Sequence, residues 1–169
     1  MWEKFGEFDS AEELNRAALA QRNEGDTEAV RTLAEENGLD PEDAEDFLDG
    51  AVDFLVLPFN AAVGKLTVES KELKLEGVLE DWVNDLIDLC SEDNELSLAV
   101  RRKGKDLAGY IALIIDYGFE KRITVNGRIT DRTQQAKQIM GSHALTIGAG
   151  DARTRRRLAL EYYCGKKEA

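Results

Sequence analysis

A single histidine in 169 residues leaves this chain poorly supplied for acid–base or metal chemistry. That residue, His143, has no Gly-x-Ser-x-Gly context and no cysteine partner. Ser142 is its neighbour in the chain, an order that a hydroxyl–imidazole–carboxylate relay does not favour. A loop or core position is the expectation for it, and no catalytic residue is assigned. Cysteine is almost as scarce. Cys90 and Cys164 cannot make a disulfide framework or a zinc motif, which fits a reducing, cytoplasmic setting. No apolar run reaches the length of about 18 residues that a membrane span needs. The longest, Ala51 to Gly64, is broken by Asp53, Pro58 and Asn60. Met1 to Ser10 is acidic and has no apolar stretch, so no secretory signal is expected.

Phosphate loops and cation loops are missing too. Gly148-Ala-Gly150-Asp151 lacks the dinucleotide or P-loop pattern, and the Asp151 carboxylate would compete for the backbone N–H groups an anion needs. It reads as a helix-capping loop. The acidic stretch at 35–49 does not alternate its ligands as a calcium loop must, and Pro41 stiffens it. No metal and no cofactor are expected.

Positive charge is what the first hundred residues lack. They carry 27 Asp/Glu against 7 Lys/Arg, a net of −20, whereas residues 101–169 carry 15 Lys/Arg against 7 Asp/Glu, a net of +8. Segregation on this scale suits two surfaces that attract opposite partners. Glu35, Glu36, Asp40, Glu42, Asp43, Glu45, Asp46 and Asp49 place eight carboxylates within fifteen residues. Glu35, Glu36, Glu42, Asp43, Glu45, Asp46 and Asp49 are therefore the candidate surface for a basic macromolecule.

Three basic groups are candidates for nucleic-acid phosphates. Arg101, Arg102, Lys103 and Lys105 form one, and Arg128 and Arg132, with Lys121 and Arg122, surround the Asn126-Gly127 turn. Arg153, Arg156 and Arg157 fall at i, i+3 and i+4 on one helical face, where guanidinium forks match phosphate oxygens. Such runs are also what a solvated face, or an internal partner for the acidic half, would look like. Aromatic residues are not interleaved with the cations as base stacking requires; Tyr110, Tyr117, Phe119, Tyr162 and Tyr163 mostly fall at core spacing.

Periodicity predicts a mostly α fold, a compact bundle of about eight short helices with one short β-hairpin or strand within 123–147. Ser10-Ala-Glu-Glu13 is a capping box, Asp26 and Asp40-Pro41 are further N-caps, and Gly25, Gly38 and Gly50 are stops. Residues 1–50 thus form an acidic three-helix unit. Residues 51–100 hold central buried helices, the first running through the apolar stretch to Leu66 and kinked or started near Pro58. Residues 101–169 form a basic helical region, with a stripe at Leu107, Tyr110, Ile111 and Ile114 and a last helix capped by Asp151. All three parts can equally be one continuous domain.

The stretch Arg101-Arg-Lys-Gly-Lys105-Asp-Leu107-Ala-Gly-Tyr110-Ile111 resembles the lysine-then-aliphatic helix start of the PcfK-like proteins. Leu160-Glu-Tyr162-Tyr163-Cys-Gly165 is similar to their final helix with paired tyrosines. Phe8 to Glu13 and Asn37 to Asp46 resemble an extension seen in clostridial mobile-element relatives. The resemblance implies a protein of conjugative plasmids, integrative elements or phages. One branch of that family consists of anti-CRISPR proteins that inhibit the type II CRISPR effector nuclease. It implies a non-enzymatic inhibitor whose partner is that nuclease with its guide RNA, with DNA or RNA phosphates touched by the basic half. A DNA-binding accessory role in conjugative transfer or element maintenance is the alternative.

Overall fold

The computed structural model describes residues 3–166. Helix α1, Ala11–Glu24, begins at Ser10, whose hydroxyl accepts from the Glu13 N–H. Glu13 reaches back to the Asp9 N–H, one residue earlier than a strict capping box. Helices α2, Thr27–Glu36, and α3, Pro41–Asp49, start at the carboxylates of Asp26 and Asp40, as the sequence predicts. The three bury Ala11, Leu14, Ala18, Val30, Leu33, Ala34, Ala44 and Phe47 in a first apolar cluster.

Residues 51–57 are an irregular strap, and the central helix starts at Pro58, one of the two alternatives the sequence offered for that proline. Leu55 and Val56 turn into the first cluster, while Phe54 and Leu57 face solvent. Asn15 of α1 holds the strap by its side-chain amide, donating to the Val56 carbonyl and accepting the Val56 N–H, both at 2.9 Å. Proline cannot supply an intrahelical donor, so a first-turn position is where Pro58 fits.

Helix α4, Pro58–Leu73, is the central element. Its Ala61 packs into the first cluster, and its Ala62 and Leu66 pack into a second. The second cluster also takes Trp82, Val83, Leu86 and Cys90 from α5, Val78–Glu92, with Leu96, Ala99 and Val100 from α6, Asn94–Arg101. Leu107, Tyr110, Ile111 and Ile114 of α7, Leu107–Glu120, complete its wall. Gly64 lets α4 touch the α2–α3 turn. A Cβ there would collide with the Asn37 carbonyl oxygen, and Gly38 opposite has φ +65°.

After α7 the chain leaves the bundle. Strand β1, Ile123–Thr124, pairs antiparallel with β2, Thr146–Ile147. Between them lie a single turn α8, Gly127–Thr130, and α9, Gln135–Met140. The short hairpin expected within 123–147 is present, but Asn126-Gly127 is not its tip. The Asn126 side chain accepts the Arg128 N–H and caps α8 instead. Among the described residues this extra turn helps bring the α-helices to ten, where about eight were expected. The chain returns through Gly148, so close to Gly118 that neither could carry a Cβ unshifted.

Helix α10, Ala152–Ala159, starts at Asp151, which accepts the Thr154 N–H at 2.8 Å. A wider π turn, Leu160–Cys164, follows. It brings Tyr163 into the core and leaves Tyr162 half-buried, where a continued α-helical spacing had Tyr162 facing inward. Among the described residues no helix is long and apolar enough to cross a membrane.

Candidate functional site

Two charged surfaces, rather than a pocket, stand out. On the acidic side Glu35, Glu42, Glu45, Asp46 and Asp49 are exposed and Asp43 is half-buried. Glu45 forms a fork with Arg31, at 2.6 Å to Nε and 3.1 Å to Nη2, and that bond lowers the Glu45 pKa. Glu36 departs from the expected array. Its carboxylate accepts the Lys4 and Phe5 N–H groups at 2.7 and 3.1 Å, tying down the amino-terminal segment instead of facing a partner. A cleft of about 520 Å³ opens beside the α2–α3 turn, with Asp40 and Asp43 on its rim and Phe59, Val63 and Ile87 below.

Arg101 was expected on the basic surface and is the clearest correction. It is 1% exposed. Its Nη2 donates to Asn37 Oδ1 at 2.7 Å, while the Asn37 amide donates to the Leu33 carbonyl. Burial pulls its pKa down to about 10, against the opposing pull of Glu7, Glu69, Asp9 and Glu13. The guanidinium therefore stays charged at neutral pH inside the fold. Position explains it, because α6 buries Ser97, Val100 and Arg101 on one side.

Lys65 of α4 is buried beside it and was not singled out by sequence. Its Nζ donates to the carbonyls of Arg102 and Lys105, each at 2.8 Å, and pairs with Glu7 at 2.9 Å and Glu69 at 3.8 Å. Glu69 accepts the Leu107 N–H, and Asp9 accepts the Lys103 N–H. The available signal was an i, i+4 Lys–Glu pair that begins within the apolar first half of α4. The loop between α6 and α7 is thus pinned by its backbone while Arg102, Lys103 and Lys105 remain exposed. Lys105 sits 4.7 Å above the Tyr162 ring.

The α10 arginines divide. Arg155 reaches Asp85 of α5, with Nε at 2.9 Å, and Arg156 pairs with Glu92 at 2.9 Å. Arg157 is half-buried, 3.3 Å from Glu161 and 5.7 Å from the Tyr117 ring. Part of the basic half thus neutralises the acidic half internally. Arg153 is exposed, as are Arg128 and Arg132 on the hairpin. Exposed Arg102, Lys103, Lys105, Arg128, Arg132 and Arg153 are what remains of the expected phosphate surface.

His143 lies in the exposed loop between α9 and β2. Among the described residues no three His, Cys, Asp or Glu side chains are grouped to hold a metal ion. Comparison with family models, with curated proteins and with solved structures gave no match.

Proposed function

We propose that this chain is a non-enzymatic inhibitor that docks its α3 face on a basic channel of a type II CRISPR effector nuclease. The observation that carries the reading is the outward array of Glu42, Asp46 and Asp49, with half-buried Asp43 at its edge, on a helix that buries only Ala44 and Phe47. A short helix held at both ends fixes these carboxylates in space, and fixed charge competes with phosphate for a basic groove better than a mobile tail does. The resemblance of Arg101 to Ile111 and Leu160 to Gly165 to PcfK-like proteins supplies the nuclease as the groove in question. Such a nuclease holds its heteroduplex in a positively charged channel. Occlusion of that channel is the mechanism. Neutralising Glu42, Asp43, Asp46 and Asp49 together tests it: capture of the nuclease–guide complex and inhibition of cleavage should both fall, and wild-type capture should weaken as salt rises.

A second reading has its own observation. Arg102, Lys103 and Lys105 project from a loop whose backbone Lys65 and Asp9 immobilise. Held this way they suit phosphate contact in a DNA-binding accessory protein of conjugative transfer or element maintenance. A duplex gel shift without nuclease, strong for wild type and lost in Lys103→Ala/Lys105→Ala, would favour this role over inhibition.

A further inference from the structure

From Phe119 through Arg157 no residue is buried, so the hairpin with α8 and α9 is an arm without a core of its own. It still carries large apolar side chains: Ile123, Ile129 and Ile147 are exposed, and Ile139 is 82% exposed. Residues 119–148 hold five cations, Lys121, Arg122, Arg128, Arg132 and Lys137, against Glu120 and Asp131, which pair with Lys121 and Lys137. Phosphate contact accounts for the cations and gives the isoleucines nothing to do. Apolar anchors set among charges are the composition of a protein-docking surface.

The complementary surface is on the same chain. Residues 40–57 carry seven carboxylates and no cation, and within them Phe54 is 63% exposed with Leu57 and Val52 also outward. The arm and the strap match in charge sign and in apolar content. They stem from different clusters: the strap packs on the first, and the arm grows from α7 of the second. We propose that the arm of one copy docks on the α3–strap face of a second copy, Ile129 and Ile139 meeting Phe54 and Leu57 inside a rim of opposite charges. The contact is heterologous, so a pair of copies leaves one arm and one face free. It uses the face that the inhibitor reading gives to the nuclease but does not depend on that reading, and self-association would compete with it.

The test is molar mass by light scattering on the full chain at low and high salt. Wild type should exceed the monomer mass in a concentration-dependent way at low salt and revert at high salt. Ile139→Asp and Phe54→Asp change exposed positions, and each should weaken association by roughly tenfold or more with the helical circular dichroism unchanged. Mixing the two variants should restore a one-to-one complex, because one retains an intact strap and the other an intact arm. A wild type that stays monomeric at low salt overturns the proposal, as does a mixture that fails to associate or association indifferent to both variants. A monomer whose duplex binding is lost in Ile139→Asp would assign the arm to nucleic acid instead. Failure of self-association leaves nuclease capture by the α3 face standing, since that is read with the nuclease as the only partner.

Discussion

Arg101 donates to Asn37 across 2.7 Å of buried space, and this bond joins the second apolar cluster to the first. Asn37 is the C-cap of α2 and Arg101 is the last residue of α6, so the bond ties the ends of these two helices together. Asn37→Ala removes this acceptor from a guanidinium that is 1% exposed, where water cannot easily replace it. The expected cost is about 2–3 kcal/mol in chemical denaturation. Unchanged stability would mean that the two clusters do not depend on this contact.

The close passage of α4 under the α2–α3 turn makes a second prediction. Gly64→Ala drives a methyl group into the Asn37 carbonyl and the Leu39 side chain. Overpacking against backbone should destabilise by about 2–3 kcal/mol, read as a lower midpoint at an unchanged denaturant slope. Gly50→Ala meets no neighbouring atom, so it should show only the strain of its left-handed φ of +74°.

Glu69 supplies a pH signature. Burial raises its pKa above the ordinary 4.5, opposed by the Leu107 N–H and by Lys65, and assisted by Asp106 and Glu7. The folded chain therefore holds a proton there that the unfolded chain has lost, so this group's contribution to stability falls as pH rises from 4.5 to the folded value. Glu45, lowered by Arg31, contributes in the opposite sense. The readout is the difference between wild type and Glu69→Gln: relative to wild type, the variant should gain stability as pH rises above 4.5. A difference flat from acidic to neutral pH contradicts the account.

Thiol chemistry separates the two cysteines. Burial pushes Cys90 up to about 12, whereas half-buried Cys164 is raised less and is also lowered by Lys166 and Arg102. A thiol reagent at neutral pH should modify Cys164 slowly in the native protein and Cys90 only on unfolding. Mass spectrometry of the partly labelled chain checks it, and rapid native labelling of Cys90 would place that side chain outside the core.

How much of this was legible depended on whether the interaction was local. The caps at Ser10, Asp26, Asp40 and Asp151, and the stripe of α7, are set by residues within one or two turns, and they were readable as text. Arg101 was not, because its place beside Ser97 and Val100 is local while Asn37, an acceptor of its guanidinium, is 64 positions away. Its neighbours Arg102 and Lys103 made it look like one of a solvated run. The pairing of Ile123 with Ile147 likewise spans an insertion with its own helices, so the nearby Asn126-Gly127 was the more visible hairpin signal. Phe54 and Leu57 belonged to a run that read as uniformly buried. Only the Asn15 clamp on Val56 shows why that run is a strap with an outer face.

Asp49 distinguishes a functional carboxylate from a merely solvated one. It sits in the last turn of α3, where negative charge opposes the helix dipole. Asp49→Lys should stabilise the fold by about 0.5 kcal/mol and at the same time weaken nuclease capture. A gain in stability with capture unaltered would identify Asp49 as a bystander.

The central claim is that the α3 carboxylates are what the nuclease channel receives. Its most direct measurement is the affinity of the nuclease–guide complex for wild type and for the Glu42→Gln, Asp43→Asn, Asp46→Asn, Asp49→Asn variant, by interferometry at low salt. The account predicts a loss of roughly tenfold or more for the variant. Equal affinity of the two proteins, or no binding by wild type, would contradict it.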